Sequence, residues 1–175
     1  IAEGWNVTFT DLFDNDNEVG VCKRVPGLSE ITGHDTSYEI RNWVQNFYLA
    51  GRSSNAKLYE LTLPDTLTER GSSNAGIAQG IDMYKDYVYC FIGANIFRYG
   101  PLSGTPSFDS SAWATLTNDI YHPSQVFGGL LFFGDKNVLK YTDGSSVYNA
   151  LTFENDMVIR CLESSPRYLI IGMTD

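Results

Sequence analysis

Cysteine, histidine and positive charge are scarce in this chain of 175 residues. Its three cysteines are an odd number and are spread over Cys22, Cys90 and Cys161, which fits neither a disulfide framework nor a zinc-binding spacing. Twelve Lys and Arg stand against 21 Asp and Glu, so the formal net charge is -9. Binding to phosphates requires clustered positive charge, and the sequence therefore predicts no direct contact with nucleic acid.

Long apolar stretches and catalytic motifs are missing as well. No run approaches 18 apolar residues, so no membrane-spanning segment is predicted. Gly-x-Ser-x-Gly, P-loop, His-Glu-x-x-His and Cys-x-x-Cys motifs are absent from the sequence. Asp119, His122 and Ser124 lie close together, but positions i, i+3 and i+5 of a strand do not share a face. We therefore expect neither an enzyme nor a cofactor.

Aromatic residues and glycine are plentiful by contrast. There are 10 Phe, 11 Tyr, 3 Trp and 16 Gly, with 43% hydrophobic and 19% charged residues overall. This is the balance of a globular chain, and its length suits a single domain. The mixture favours strands and turns over helices.

An apolar run that ends in glycine, and restarts after a few polar residues, recurs four times. Gly51, Gly93, Gly134 and Gly172 mark these runs at separations of 42, 41 and 38 residues. Each run predicts a β-hairpin, near 46–61, 87–99, 129–141 and 168–175. Residues two positions before three of the glycines are expected to be equivalent and buried: Phe91, Phe132 and Ile170.

Further strands are predicted around each hairpin. One precedes each hairpin, at 38–44, 78–84, 120–127 and 157–162, and a polar turn with a short aromatic strand follows two of them, at 109–116 and 143–151. Four short strands in about 40 residues predict an all-β β-propeller of four-stranded antiparallel blades. A β-sandwich or β-trefoil also has short strands, but neither predicts evenly spaced glycines.

Two arrangements of the propeller are open. Residues 37–175 hold the blades, and residues 1–36 hold two candidate strands, 5–9 and 19–25, with the loop that leads into the repeats. The fourth hairpin lacks its return arm within this sequence, which favours a partial propeller from a longer chain. The alternative is a four-bladed ring in which the N-terminal strands complete the last blade.

Candidate binding residues are few. Asp14, Asp16 and Glu18 alternate in an acidic stretch and offer oxygen ligands suited to Ca²⁺. The stretch lacks the central glycine and final glutamate of a calcium loop, so a solvated turn is the favoured interpretation. A second candidate is an aromatic surface that stacks on sugar, although packing between blades is the commoner use of such residues: Tyr84, Tyr99, Tyr121, Tyr141 and Tyr148.

One short segment resembles a known family. Lys23-Arg24, then Val25, then Pro26-Gly27-Leu28 resembles the opening of β-propeller proteins in the tails of tailed bacteriophages, of the nozzle or hub type. The resemblance implies a non-catalytic structural role in a virion, with other protein chains as partners and a homo-oligomeric ring. The alternative is a secreted or cell-surface propeller that binds a glycan or a protein.

Overall fold

The computed structural model describes residues 7–9, 22–24, 43–51, 55–62 and 66–175. Within these ranges every regular element is a β-strand. The strands are β1 (Val7–Phe9), β2 (Cys22–Arg24), β3 (Trp43–Val44), β4 (Phe47–Ala50), β5 (Ala56–Thr62), β6 (Thr66–Ser73), β7 (Ala78–Tyr84), β8 (Tyr87–Ile92), β9 (Asn95–Gly100), β10 (Ser107–Phe108), β11 (Ala114–Thr115), β12 (Ser124–Phe127), β13 (Leu130–Asp135), β14 (Val138–Thr142), β15 (Val147–Thr152), β16 (Val158–Ser164) and β17 (Leu169–Thr174).

The strands pair antiparallel with their neighbours in the chain. The first sheet has the order β3-β4-β5-β6 and the third has the order β12-β13-β14-β15. The second sheet runs β7-β8-β9-β10, and β11 also pairs with β9. Two strand pairs complete the set, β16 with β17 and β1 with β2. The predicted all-β class and the predicted hairpins β4–β5, β8–β9 and β13–β14 are confirmed.

Local strand boundaries differ from the sequence prediction in places. β7 matches its predicted range, whereas β12 begins at Ser124 rather than at Ile120. Pro123 has no amide to donate to a ladder, and the His122 amide donates instead to the carbonyl oxygen of Gln79, at 2.8 Å. β6 was not predicted, because its sequence is polar and it is recognisable only through its pairing with β5.

The sequence predicted that the repeated glycines hold equivalent positions, but in the structure their positions differ. Gly93 lies in the β8–β9 turn at φ +55°, where a left-handed backbone favours glycine. Gly134 and Gly172 lie inside β13 and β17, paired with Leu139 and Cys161. The expected equivalence of Phe91, Phe132 and Ile170 is therefore wrong. Phe91 is fully buried, Phe132 is half-buried and Ile170 is 55% exposed.

Each inner strand contributes to two cores. Val88 and Cys90 of β8 pack between the first and second sheets, while Tyr89 and Phe91 pack between the second and third. Side chains alternate between the faces of a strand, so β8 is apolar throughout because both faces are covered. The third sheet likewise contacts the second through Phe133 and the β16–β17 pair through Phe132.

Consecutive sheets are joined where each begins. The first strands contact one another in sequence, β3 with β7, β7 with β12 and β12 with β16. Main-chain hydrogen bonds repeat at these junctions: the Ala78 amide donates to Gly51 and the Ile159 amide to Lys136, each at 2.9 Å. The sheets are thus layered in chain order. Helices that could cross a membrane are not found in the described ranges.

Candidate functional site

The acidic metal candidate lies outside the described residues. Asp14, Asp16 and Glu18 belong to the segment between β1 and β2, and so remain a prediction. In the described ranges, no three His, Cys, Asp or Glu side chains are grouped so that they could hold a metal ion. Of the segment that resembles phage tail proteins, Lys23 and Arg24 lie in β2, and residues 25–28 lie outside the description.

Asp119, His122 and Ser124, which lie close together in the sequence, do not form a catalytic triad in the structure, because each has a different hydrogen-bond partner. The Asp119 carboxylate accepts a hydrogen bond from the Gln79 side chain at 3.1 Å. His122 Nδ1 bonds the Gly134 carbonyl oxygen at 2.7 Å. Ser124 hydrogen-bonds the carboxylate of Asp82, whose pKa is raised because burial disfavours its charged form. These contacts hold the sheets together and leave the three groups on different partners.

The five tyrosines considered for sugar binding do not form one surface. Tyr84 lies in the core between the second and third sheets, and Tyr99 lies in the core between the first and second. Tyr121 is half-buried. Only Tyr141 and Tyr148 are adjacent, stacked with their ring centres 5.2 Å apart. Packing accounts for most of this set, and one pair is left at the surface.

A buried polar cluster links the second and third sheets. The Asp135 carboxylate is fully buried at the end of β13 and accepts hydrogen bonds from the Thr117 amide and the Asn118 side chain, both at 2.9 Å. Lys140 lies 3.4 Å from the same carboxylate. His122 is fully buried nearby, with its ring 5.5 Å from that of Phe91. Sequence reasoning missed Asp135, because nothing in its local pattern distinguishes it from a turn residue.

Of the two titratable groups in this cluster, Asp135 is held in its charged form and His122 in its neutral form. Burial alone would raise the pKa of Asp135, but hydrogen bonds from Asn118 and Thr117 and the charge of Lys140 outweigh it and lower that pKa. Burial lowers the pKa of His122, against smaller opposing effects from the Gly134 carbonyl and Asp135. Since Nδ1 faces a carbonyl oxygen, it carries the proton, and Nε2 is buried without a hydrogen-bond partner.

We expect His122 to make folding weaken in mild acid. Its pKa in the folded state lies below its ordinary value of 6.5, so the unfolded state takes up the proton first. This contribution to stability is present above pH 6.5 and is lost as the pH falls below it. Urea denaturation at pH 7.5 and 5.5 measures the loss. His122→Asn should show a smaller change between the two pH values than the wild type; equal pH dependence in the two proteins would contradict the assignment.

Rows of large side chains cross the second and third sheets. In the second sheet, Tyr84, Tyr89, Arg98 and Trp113 adjoin one another from β7 to the strand β11. The Arg98 guanidinium lies 4.6 Å from the centre of the Trp113 ring and 4.8 Å from that of Tyr87. Its charge pairs with Asp109 at 3.4 Å. This row faces the third sheet, and Trp113 packs against the core between the two sheets.

The corresponding row of the third sheet is covered over only part of its length. Phe127, Phe132, Tyr141 and Tyr148 adjoin in turn, with ring centres 6.4, 5.8 and 5.2 Å apart. Phe132 packs against the β16–β17 pair. Towards β15 the cover ends, leaving Tyr148 41% and Leu151 54% exposed. We call Tyr141, Tyr148 and Leu151 the open face.

The open face is a surface for apolar contact. Two stacked tyrosines and an exposed leucine offer a large, rigid apolar area, and aromatic residues are enriched in protein interfaces. The described arginines do not converge on any such surface, since Arg70 pairs with Glu60 and Arg160 bonds Thr174. In comparisons with known proteins, the chain matches no protein-family model and no curated protein.

Proposed function

We propose that this chain is a non-catalytic structural protein whose sheets are the blades of a β-propeller, and that it belongs to a virion tail of the nozzle or hub type. The observation that carries the proposal is the contact between the first strands of consecutive sheets, β3 with β7, β7 with β12 and β12 with β16. First strands that line up side by side form the hub of a propeller, with later strands radiating outward.

The arrangement of the cores supports this architecture. The second sheet packs the first on one face and the third on the other, and the sheets follow chain order. A two-sheet sandwich would leave one face of each sheet in solvent.

The contacts of the polar groups support the proposed structural role. Asp135 accepts a hydrogen bond from the Thr117 amide, Arg98 lies over the Trp113 ring, and His122 bonds the Gly134 carbonyl oxygen. The apolar open face is the surface on which a protein partner would bind. The formal charge of -9 suits an acidic channel wall and disfavours a direct hold on DNA.

The virion role is tested on purified particles. Antibodies raised against the chain, applied to negatively stained virions from the source culture, should label the tail, and mass spectrometry of the same particles should recover peptides from 71–175. Symmetric averaging of the labelled region should show a ring. Recovery of the chain only as free protein in the medium, with no peptides in particles, would overturn the tail assignment.

A glycan-binding propeller at a cell surface is the second candidate. Tyr148 and Tyr168, 41% and 68% exposed, are the rings that a sugar would stack on. Titration with a panel of oligosaccharides, followed by tyrosine and tryptophan fluorescence, tests it directly. Saturable binding that is lost in Tyr148→Ala or Tyr168→Ala would favour this role over the structural one.

A further inference from the structure

One irregular segment joins the second sheet to the third. It runs from the end of β11 to the start of β12, and we call residues 116–123 the strap. The structure describes the strap throughout, and none of its residues lies in a strand or a helix. Between Leu116 at one end and His122 at the other, none of its side chains is buried. Apolar packing therefore fixes only the ends of the strap, and polar contacts hold its middle.

The first half of the strap is held by the Asp135 carboxylate at the end of β13. This carboxylate accepts hydrogen bonds from the Thr117 amide at 2.9 Å and from the Asn118 amide at 3.1 Å. The carboxylate of Asp119 in turn accepts a hydrogen bond from the Gln79 side chain of β7 at 3.1 Å. The strap is thus bonded to the third sheet and to the second sheet within three consecutive residues.

The second half of the strap is held by His122. Its amide donates to the Gln79 carbonyl oxygen at 2.8 Å, and its Nδ1 bonds the Gly134 carbonyl oxygen at 2.7 Å. The ring is fully buried beside Phe91, and Nε2 has no hydrogen-bond partner among the described residues. A proton taken up by Nε2 would therefore place a positive charge between the two sheets, out of contact with water.

We propose that the strap is an acid-sensitive latch between the second and third sheets, and that protonation of His122 releases it while the strand ladders of both sheets stay paired. In the closed strap Nε2 is buried without a partner, whereas in the open strap the imidazole reaches water, which solvates its charged form. The proton therefore binds the open strap more readily, and mild acid shifts the equilibrium towards it. The latch is a property of the fold and does not depend on the virion role.

The charges around His122 do not remove this preference. Asp135 is the charged group that acts on the imidazole, and it favours the protonated form, as do the neighbouring main-chain groups. Burial outweighs them and lowers the pKa of His122 below its ordinary value of 6.5. β8 contributes the uncharged ring of Phe91. The other titratable side chains on the surrounding elements have partners of their own: Asp82 of β7, Asp119 of the strap and Lys140 of β14.

His122 is the group of the latch that titrates in mild acid. The pKa of Asp135 lies below its ordinary value of 3.8, so this carboxylate keeps its charge and its hold on the strap at pH 5.5. One histidine with a pKa of 6.5 in the open strap and a much lower pKa in the closed strap raises the opening constant by at most about tenfold between pH 7.5 and pH 5.5.

Hydrogen exchange of the full wild-type chain in low concentrations of urea tests the latch. Each rate is divided by the intrinsic rate of that amide at the same pH, which gives its protection. At pH 7.5 we expect the Thr117, Asn118 and His122 amides to be at least about tenfold less protected than those of the β8–β9 hairpin and insensitive to urea, because local opening exposes little surface. At pH 5.5 the protection of the strap amides should fall severalfold further, with about tenfold as the limit.

Two variants in the strap separate the titration from the hydrogen bonds. His122→Asn keeps an N–H donor on the side chain but cannot take up a proton, so the protection of its strap should be equal at the two pH values, whatever its absolute level. Asp119→Asn removes the carboxylate of the strap, keeps an acceptor for Gln79, and should retain the wild-type response to pH. The wild-type measurement is decisive even where a variant fails to fold.

Two results would overturn the proposal. Strap amides as well protected as those of the β8–β9 hairpin, with the same dependence on urea, would show that the strap opens only when the whole protein unfolds. A response to pH that persists in His122→Asn would assign the titration to another group. Neither result bears on whether the protein is found in virions.

Discussion

Truncation of Phe133 to alanine is expected to lower the free energy of unfolding by about 3–5 kcal/mol, the usual cost of a lost core aromatic side chain. Phe133 is 0% exposed, and its ring centre lies 5.3 Å from that of Phe91 across the second and third sheets. The loss of stability has two sources. Apolar area loses its burial, and a cavity is left because the two sheets, held by other contacts, cannot close over it fully. Urea denaturation followed by tryptophan fluorescence measures the change.

Two neighbouring variants show whether position in the fold decides the effect. Phe132→Ala removes a half-buried ring next to the β16–β17 pair and should cost less than Phe133→Ala. Ile170→Ala removes a side chain that is more than half exposed and should change stability by less than about 0.5 kcal/mol. A cost below about 1 kcal/mol for Phe133→Ala would place this strand at the periphery instead.

Replacement of Asp135 by alanine is expected to cost a comparable amount, about 3–5 kcal/mol, because it breaks a buried charged network from one side. The Thr117 and Asn118 amides lose their common acceptor, and the largely buried Lys140 ammonium loses its carboxylate partner. Asp135→Asn should cost less, since an amide oxygen still accepts one of these hydrogen bonds. Chemical denaturation at pH 7 provides the comparison.

The pH dependence of unfolding, measured with a surface variant as control, separates the effect of the Asp135 charge from that of its side-chain shape. The pKa of Asp135 is lowered in the folded state, so its contribution is complete above the ordinary carboxyl value of 3.8 and is lost as the pH falls through the folded value. Asp135→Asn should abolish that part of the acid sensitivity. Asp156→Asn, at an exposed turn before β16, should leave the denaturation midpoint at pH 7 nearly unchanged; a loss there equal to that of Asp135→Asn would argue against the special role of the buried site.

The sequence was a good guide where structure is local. Alternation of apolar and polar residues and the turn residues around 93–95 and 135–137 involve only near neighbours, and they placed β7, β8–β9 and β13–β14 close to their observed bounds. Composition likewise predicted an all-β chain. These features depend on backbone conformations that a few consecutive residues determine by themselves.

Position along a repeat was harder to assign than the repeat itself. Glycine serves a left-handed turn at Gly93 but close packing at Gly134, where a Cβ would meet the Ile159 side chain at 3.0 Å. Glycine therefore occupies two different positions in the repeat, and aligning the repeats on glycine predicted the wrong core residues. Strand pairing, which joins residues distant in sequence, identifies Phe132 with Tyr89 rather than with Phe91.

Sequence alone determined that this chain forms short antiparallel strands in a period of about 40 residues, because side-chain alternation and turn chemistry are local. Only the tertiary structure decided which face each strand buries, how His122 and Asp135 meet between two sheets, and that Tyr148 and Leu151 are left uncovered. Those outcomes depend on how far one sheet extends over the next. That extent is set by contacts between segments distant in sequence, so it cannot be predicted from any one segment.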